Sequence, residues 1–218
     1  MADMINELSL REQLVTQYQR VTHLGLNGMS SGNLSVRSGD RMLISPTGAT
    51  GESITAHNVV EMSFDGDHQG DVLPSSEWRM HAAIYQKHTD ADAVVHTHSD
   101  YCVAVASHVL PLPGFHYLVG VFGGDDVPCV PYSTFGTQKL ADDASAALIE
   151  RTACLLGNHG MIARAPNLER AVNQAQRLEI MCRQYVLARQ LGEPKRLTDA
   201  DWRDFATKAE ELAYTTNG

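Results

Sequence analysis

The sequence predicts an α/β domain in which a mixed, largely antiparallel central sheet is flanked by helices. Three observations carry this expectation. Short apolar or alternating runs are joined by tight turns, which sets neighbouring strands antiparallel and argues against a doubly wound parallel sheet. Longer stretches with helical spacing lie between them. No repeat, low-complexity tract or linker divides the chain, so residues 1–218, with 43% hydrophobic content, are expected to form one domain with a sizeable core.

The elements follow in order. Ser9-Leu10-Arg11-Glu12 has the form of a capping box, and Leu10, Leu14, Tyr18, Val21 and Leu24 then recur at helical spacing until Gly25. Leu34-Ser35-Val36-Arg37 alternates as a strand, and the turn Ser38-Gly39-Asp40 leads to a hairpin partner, Arg41–Ser45, which Pro46 ends. Glu61–Phe64 with the turn Asp65-Gly66-Asp67 predicts a further short hairpin. Pro74-Ser75-Ser76-Glu77 opens a helix whose inner face is marked by Trp78, His81, Ile84 and Tyr85. Val94–His98 is a strand, and Tyr101–His108 a helix. Residues 109–136 are rich in Pro and Gly, with short apolar pieces. Thr137–Arg151 is helical. Ala153–Leu156 and Met161–Arg164 are strands paired across Gly157-Asn158-His159-Gly160. Asn167 and Thr198 cap the last two helices, which run to about Leu191 and Tyr214.

Charge and composition exclude several function classes. The net charge of -9 and the lack of a Lys/Arg cluster argue against nucleic-acid partners and against an anionic membrane surface. No apolar run is long enough to span a membrane, and the N-terminus shows no signal-peptide pattern. Cys102, Cys129, Cys154 and Cys182 form no C-x-x-C pair and sit in apolar or helical contexts, so reduced thiols and a cytoplasmic setting are expected.

Chemistry concentrates at strand ends. His96 and His98 flank Thr97 at the exit of an apolar strand, where residues two apart share a face. Taken alone, the pair fits two ordinary histidines as well as two ligands of a divalent metal. His159 follows a second apolar strand, with Gly160 expected to take a left-handed turn that projects it outward. Glu77, in the first turn of a helix, is a fourth candidate; its other reading is a carboxylate that only caps the helix. Three imidazoles and a carboxylate would suit Zn²⁺, and the same ligand types also serve Mn²⁺, Co²⁺ or Fe²⁺. Three further stretches, Ser31-Gly32-Asn33, Pro46-Thr47-Gly48 and Pro74-Ser75-Ser76, are small and rich in donors. Each alone suits an ordinary turn, and together they suit a phosphate held without Arg or Lys.

The order and spacing of these pieces resemble a known family. They run Ser31–Arg37, Ile44–Gly48, Leu73–His81, Ala93–His98, Phe115-His116-Tyr117, Gly123-Gly124, Pro131–Thr137 and Leu155–Ile162. In this the chain resembles the zinc-dependent class II sugar-phosphate aldolases of the L-fuculose-1-phosphate aldolase type, related to the L-ribulose-5-phosphate 4-epimerases. The resemblance implies a Zn²⁺ site of Glu77, His96, His98 and His159, with one metal per subunit. It implies that Glu77 also leaves the metal to act as acid/base, and that Gly32, Asn33, Thr47, Gly48, Ser75 and Ser76 hold the substrate phosphate. It assigns Tyr117 to proton exchange with the aldehyde oxygen in a neighbouring subunit's site, within a homotetramer. Phe135 is implied in the aldehyde pocket, and Tyr214 stands where a tail tyrosine would contribute to it.

The implied reaction is cleavage of a ketose 1-phosphate to dihydroxyacetone phosphate and a small aldehyde such as lactaldehyde. The chain departs from the pattern at Phe122, which is bulkier than expected, and in its tail, Tyr214–Gly218. Both departures concern the aldehyde end. Rival readings on the same scaffold are a 4-epimerase, a methylthioribulose-phosphate aldolase or dehydratase, a keto-acid-phosphate decarboxylase, and a non-catalytic adducin-like scaffold. The retained histidines and Glu77 argue against the last.

Overall fold

Alternation along the strands divides the interior into two apolar layers, one on each side of a single sheet. The computed structural model describes residues 2–212, with side chains described from Glu7 onward. In chain order the elements are α1 (Ala2–His23), β1 (Asn33–Ser38), β2 (Arg41–Ile44), β3 (Val60–Ser63), α2 (Trp78–Lys87), β4 (Ala93–Thr97) and α3 (Asp100–Ala106). They continue with β5 (Leu112–Pro113), a 3-10 turn (Tyr117–Phe122), β6 (Asp126–Val127), β7 (Cys129–Val130), α4 (Gln138–Ala147), β8 (Ala153–Leu156), β9 (Gly160–Ala165), α5 (Leu168–Arg189) and α6 (Asp199–Glu211).

The main sheet has the order β3-β2-β1-β4-β9-β8-β7. Every pairing in it is antiparallel except β7 with β8, so the sheet is mixed and largely antiparallel, as the hairpins predict. Ala93 and Val95 of β4 face one core with Leu14 and Tyr18 of α1, Val105 of α3 and Leu178 of α5. Val94 faces the other, with Ile84 of α2, Leu140 of α4, and Cys154 and Ile162 of the neighbouring strands. Each fully buried Val, Leu or Ile here contributes roughly 1.5–3 kcal/mol through area removed from water. The period of two continues past Val94, so His96 lies on the α2 side of the sheet.

Three local expectations change. Helix α1 already includes Ala2, so Ser9 is an interior residue whose Oγ accepts from Gln13 Nε2 rather than capping the helix. A Ser-x-x-Glu pattern on an exposed helix face looks the same in sequence as a true start. The left-handed residue of the β8–β9 turn is Asn158, with φ 53°, not Gly160. Gly160 is required for another reason: a Cβ there would lie 2.3 Å from the Thr97 carbonyl oxygen, so the glycine lets β9 run close against the end of β4. The strand expected at Glu61–Phe64 is β3, Val60–Ser63, but its hairpin partner shrinks to an isolated bridge between Met62 and His68. Tyr214 lies outside the described residues.

Candidate active site and metal centre

β4 and β9 run side by side with His96 opposite Ile162 and Thr97 opposite Met161. Their ends bring His96 and His98 from one strand exit beside His159 from the β8–β9 turn, with every pair of ring centroids 4.8 Å apart. Glu77 joins them from the start of α2. It occupies the N-cap position, yet its side chain makes no capping hydrogen bond. The carboxylate instead turns into the histidine cluster, with Oε2 3.1 Å from His96 Nε2 and Oε1 3.2 Å from His159 Nε2. That overturns the capping alternative for Glu77.

The cluster fits a divalent cation. One ligand atom from each of Glu77, His96, His98 and His159 lies within 4.8 Å of all the others. The resolved spacings of 2.9 Å between His96 Nε2 and His98 Nε2, and of 3.1 and 3.2 Å to the carboxylate, are near the ~3.3 Å edge of a tetrahedron with ~2.0–2.1 Å bonds. His96 Nδ1 donates to the Met161 carbonyl at 2.7 Å, which leaves Nε2 as the lone-pair nitrogen aimed at the centre. Glu77 Oε1 is buried without a hydrogen-bond donor, because the His159 nitrogen beside it is not aligned as one. A cation is the partner that would satisfy this oxygen and three converging lone pairs together.

The electrostatics point the same way. Burial by itself would raise the Glu77 carboxyl, but His96 and His159 outweigh it and hold the group far below the ordinary carboxylate range. Burial would lower His96, and Glu77 reverses that direction. His98 is pushed down to about 4 by burial and by the neighbouring imidazoles, so it stands neutral and ready to ligate.

A cavity of about 210 Å³ opens beside this cluster. Gly32, Asn33, Thr47, Gly48, Ser75 and Ser76 all line it, together with Glu77, His98, His159 and Phe135. The three donor-rich stretches are therefore one surface, and an antiparallel bridge between Pro46 and Pro74 ties two of them together. No Lys or Arg is among its lining residues. The backbone contributes less than the sequence suggests, because Thr47 N and Ser75 N already donate to the carbonyls of Leu73 and Ser45. The hydroxyls of Thr47, Ser75 and Ser76 and the remaining N–H groups of these loops are left to meet an anion there. Gly32 sits at φ 75°, and a Cβ on it would collide with the Asn27 side chain at 2.2 Å, so the loop tolerates only glycine at that point.

Tyr117 is not part of this cavity within one chain. It opens the 3-10 turn, is 48% exposed, stacks on His116 and lies 6.0 Å from the Phe205 ring. Phe122, at the far end of the same turn, is fully buried in the core and away from the site. Its bulk is a matter of packing. Phe135 is 62% exposed at the cavity edge.

One participant is not among the residues that the sequence singles out for chemistry: His81. The sequence marks it only as part of the inner face of α2, but it is fully buried, with Nε2 2.5 Å from Asn33 Oδ1. Its spacing of one helical turn from Glu77 is the signal that could have found it.

The sequence profile of the class II aldolase and adducin N-terminal domain family matches residues 12–186. The chain belongs to this family. The L-fuculose phosphate aldolase of Escherichia coli O6:H1 is 42% identical over 185 residues, covering 85% of this chain and 86% of that protein. The 5-methylthioribulose-1-phosphate/5-deoxyribulose-1-phosphate aldolase of Rhodospirillum rubrum is 41% identical over 190 residues, covering 87% and 86%. A solved L-fuculose 1-phosphate aldolase superposes with a TM-score of 0.87 at 36% identity, covering 93% of this chain and 96% of that one. The protein is thus a carbon–carbon lyase of the class II aldolase type with a Glu/His₃ centre suited to a metal. Among the described residues of this aldolase, no helix is long and apolar enough to cross a membrane.

Proposed function

We propose that this aldolase cleaves a ketose 1-phosphate, L-fuculose 1-phosphate or a similar five- or six-carbon deoxyketose 1-phosphate, to dihydroxyacetone phosphate and a small aldehyde. The observation that carries the reading is the meeting, at one cavity, of the Glu/His₃ cluster, through Glu77, His98 and His159, and a hydroxyl-rich surface free of Lys and Arg. A phosphate on Thr47, Ser75 and Ser76 would place the adjacent carbonyl end of the sugar toward the histidines.

Zn²⁺ is the favoured ion for three imidazoles and one carboxylate, and when bound it would supply Lewis-acid stabilisation of charge developing on the carbonyl oxygen. Glu77 returns a proton to the carbon beside the carbonyl after the bond breaks, and removes it in the synthetic direction. Tyr117, presented by a neighbouring copy in a homotetramer, takes the proton of the hydroxyl that becomes the aldehyde. Its exposure and its place outside the single-chain cavity support a role across an interface. A cytoplasmic setting accords with the unpaired Cys102, Cys129, Cys154 and Cys182.

A second reading of the substrate has one observation behind it. Exposed Phe135 at the cavity edge offers an apolar contact to an aldehyde ending in a methyl or methylthio group, and the Rhodospirillum rubrum relative is named for such substrates. Incubating the Zn²⁺-loaded protein with dihydroxyacetone phosphate and a panel of aldehydes tests both. Carbon–carbon bond formation is expected, abolished by a chelator and restored by Zn²⁺. Turnover of L-ribulose 5-phosphate with no bond formation would replace the aldolase with an epimerase.

A further inference from the structure

Five buried polar side chains cross the otherwise apolar contact between α2 and the sheet. On α2, Glu77, His81 and Tyr85 recur every four residues, and on β1, Asn33 and Ser35 alternate onto the facing side. They form one continuous hydrogen-bonded file. Asn33 Nδ2 is 3.0 Å from Glu77 Oε2, Asn33 Oδ1 is 2.5 Å from His81 Nε2, His81 Nδ1 is 2.7 Å from Ser35 Oγ, and Ser35 Oγ is 2.7 Å from the Tyr85 hydroxyl.

The direction of every bond in the file follows from its end. An ionised carboxylate only accepts, so Asn33 must present its NH₂ to Glu77 and its carbonyl to His81. His81 must then carry its proton on Nε2. A second proton on Nδ1 would place a cation at a site with no exposure, and burial pushes His81 down to about 3. Nδ1 is therefore an acceptor, the single Ser35 proton goes to it, and the Tyr85 hydroxyl donates to Ser35. Reversing any one bond sets two acceptors or two donors against each other. His81 is held as the Nε2–H tautomer, whereas His96 is held as Nδ1–H by the Met161 carbonyl.

We propose that His81, backed by Ser35 and Tyr85, is a positioning residue that locks the Asn33 amide as a donor to Glu77 and so fixes the carboxylate toward the three histidines. The inference rests on the acid/base reading of Glu77. A flipped Asn33 would oppose its carbonyl to the carboxylate, and the His81 Nε2–H is what excludes that flip. The polar file is costly to bury in an apolar contact, because each member is satisfied only if all are. It meets the site at Asn33 and Glu77, both of which line the cavity.

The deciding experiment is ¹⁵N NMR of the Zn²⁺-loaded full chain labelled at histidine. His81 is expected to stay neutral and Nε2-protonated from about pH 5 to 8, where free imidazole titrates. An Nδ1–H tautomer or a titrating His81 would overturn the proposal, whatever the enzyme turns over. Two near-isosteric variants add a functional arm. Gln in His81→Gln can reproduce the Nε2 donor to Asn33, whereas Asn in His81→Asn reaches only toward Ser35. Proton exchange at the carbon beside the carbonyl of dihydroxyacetone phosphate is expected to fall about 10–100-fold in His81→Asn, the usual range for groups that orient metal ligands, and to recover in His81→Gln. Equal losses in both variants that follow their melting temperatures would reduce His81 to a packing role. Absence of exchange in the unsubstituted protein would instead remove the proposed reaction, with the tautomer measurement still standing.

Discussion

Glu77 and Phe135 line the same cavity, yet the first is 6% exposed and the second 62%. The metal end is built from the middle of the sheet. His96 is in the central strand, His98 and His159 leave adjacent strand ends, and Glu77 is tied through Asn33 into the α2–sheet contact. One chain supplies all of it. The other end is marked by the exposed ring of Phe135 at the cavity edge, whereas Tyr132 and Tyr117, also exposed, are not among the lining residues. The difference teaches where variation is cheap. Moving a ligand disturbs paired strands and a buried network, whereas changing an exposed ring alters only what the rim touches.

The comparison breaks most visibly at Glu77. Glu77→Gln keeps the shape and loses the base, so exchange at the carbon beside the carbonyl should fall about 10²–10⁴-fold. Zn²⁺ content, measured on the purified variant, should persist through the three histidines. Exchange that survives undiminished would remove Glu77 from proton transfer and leave it a ligand only.

The two ends are also unequally legible in the sequence. The strands of the metal end show themselves by alternation and apolar runs, so His96, His98 and His159 can be placed at strand exits from the residue pattern alone. Their convergence cannot, because the β4–β9 register is a non-local choice that depends on Gly160 clearing the Thr97 carbonyl. The donor-rich loops are legible as a set, but not the commitment of Thr47 N and Ser75 N to neighbouring carbonyls. His81 is hidden because a buried histidine on a helix's inner face obeys the same period as a core residue. The rim is illegible, since an exposed aromatic on a loop has no period, and its partner can belong to another copy.

Tyr117 gives the next largest effect and separates the ends cleanly. If the rim acts only on the aldehyde, Tyr117→Phe should lower ketose phosphate cleavage about 10²-fold, in the range for one lost general acid or base. Proton exchange into dihydroxyacetone phosphate alone, which needs no aldehyde, should stay within a few-fold of its starting rate. A parallel loss of both would mean that Tyr117 reaches the metal end, and the division of labour between the two ends would fail.

Phe135 should give the smallest change and the most specific one. It touches the cavity from outside the metal cluster and is mostly in water, so Phe135→Ala removes an apolar contact without opening the core. A missing apolar contact in a pocket is worth about 1–3 kcal/mol at most, and less where the ring is half solvated. Competition between lactaldehyde and a methylthio-aldehyde for dihydroxyacetone phosphate should therefore shift by less than about tenfold, toward the more polar aldehyde, with total exchange activity retained. A shift in the opposite direction would place the aldehyde's apolar end elsewhere in the site, away from Phe135.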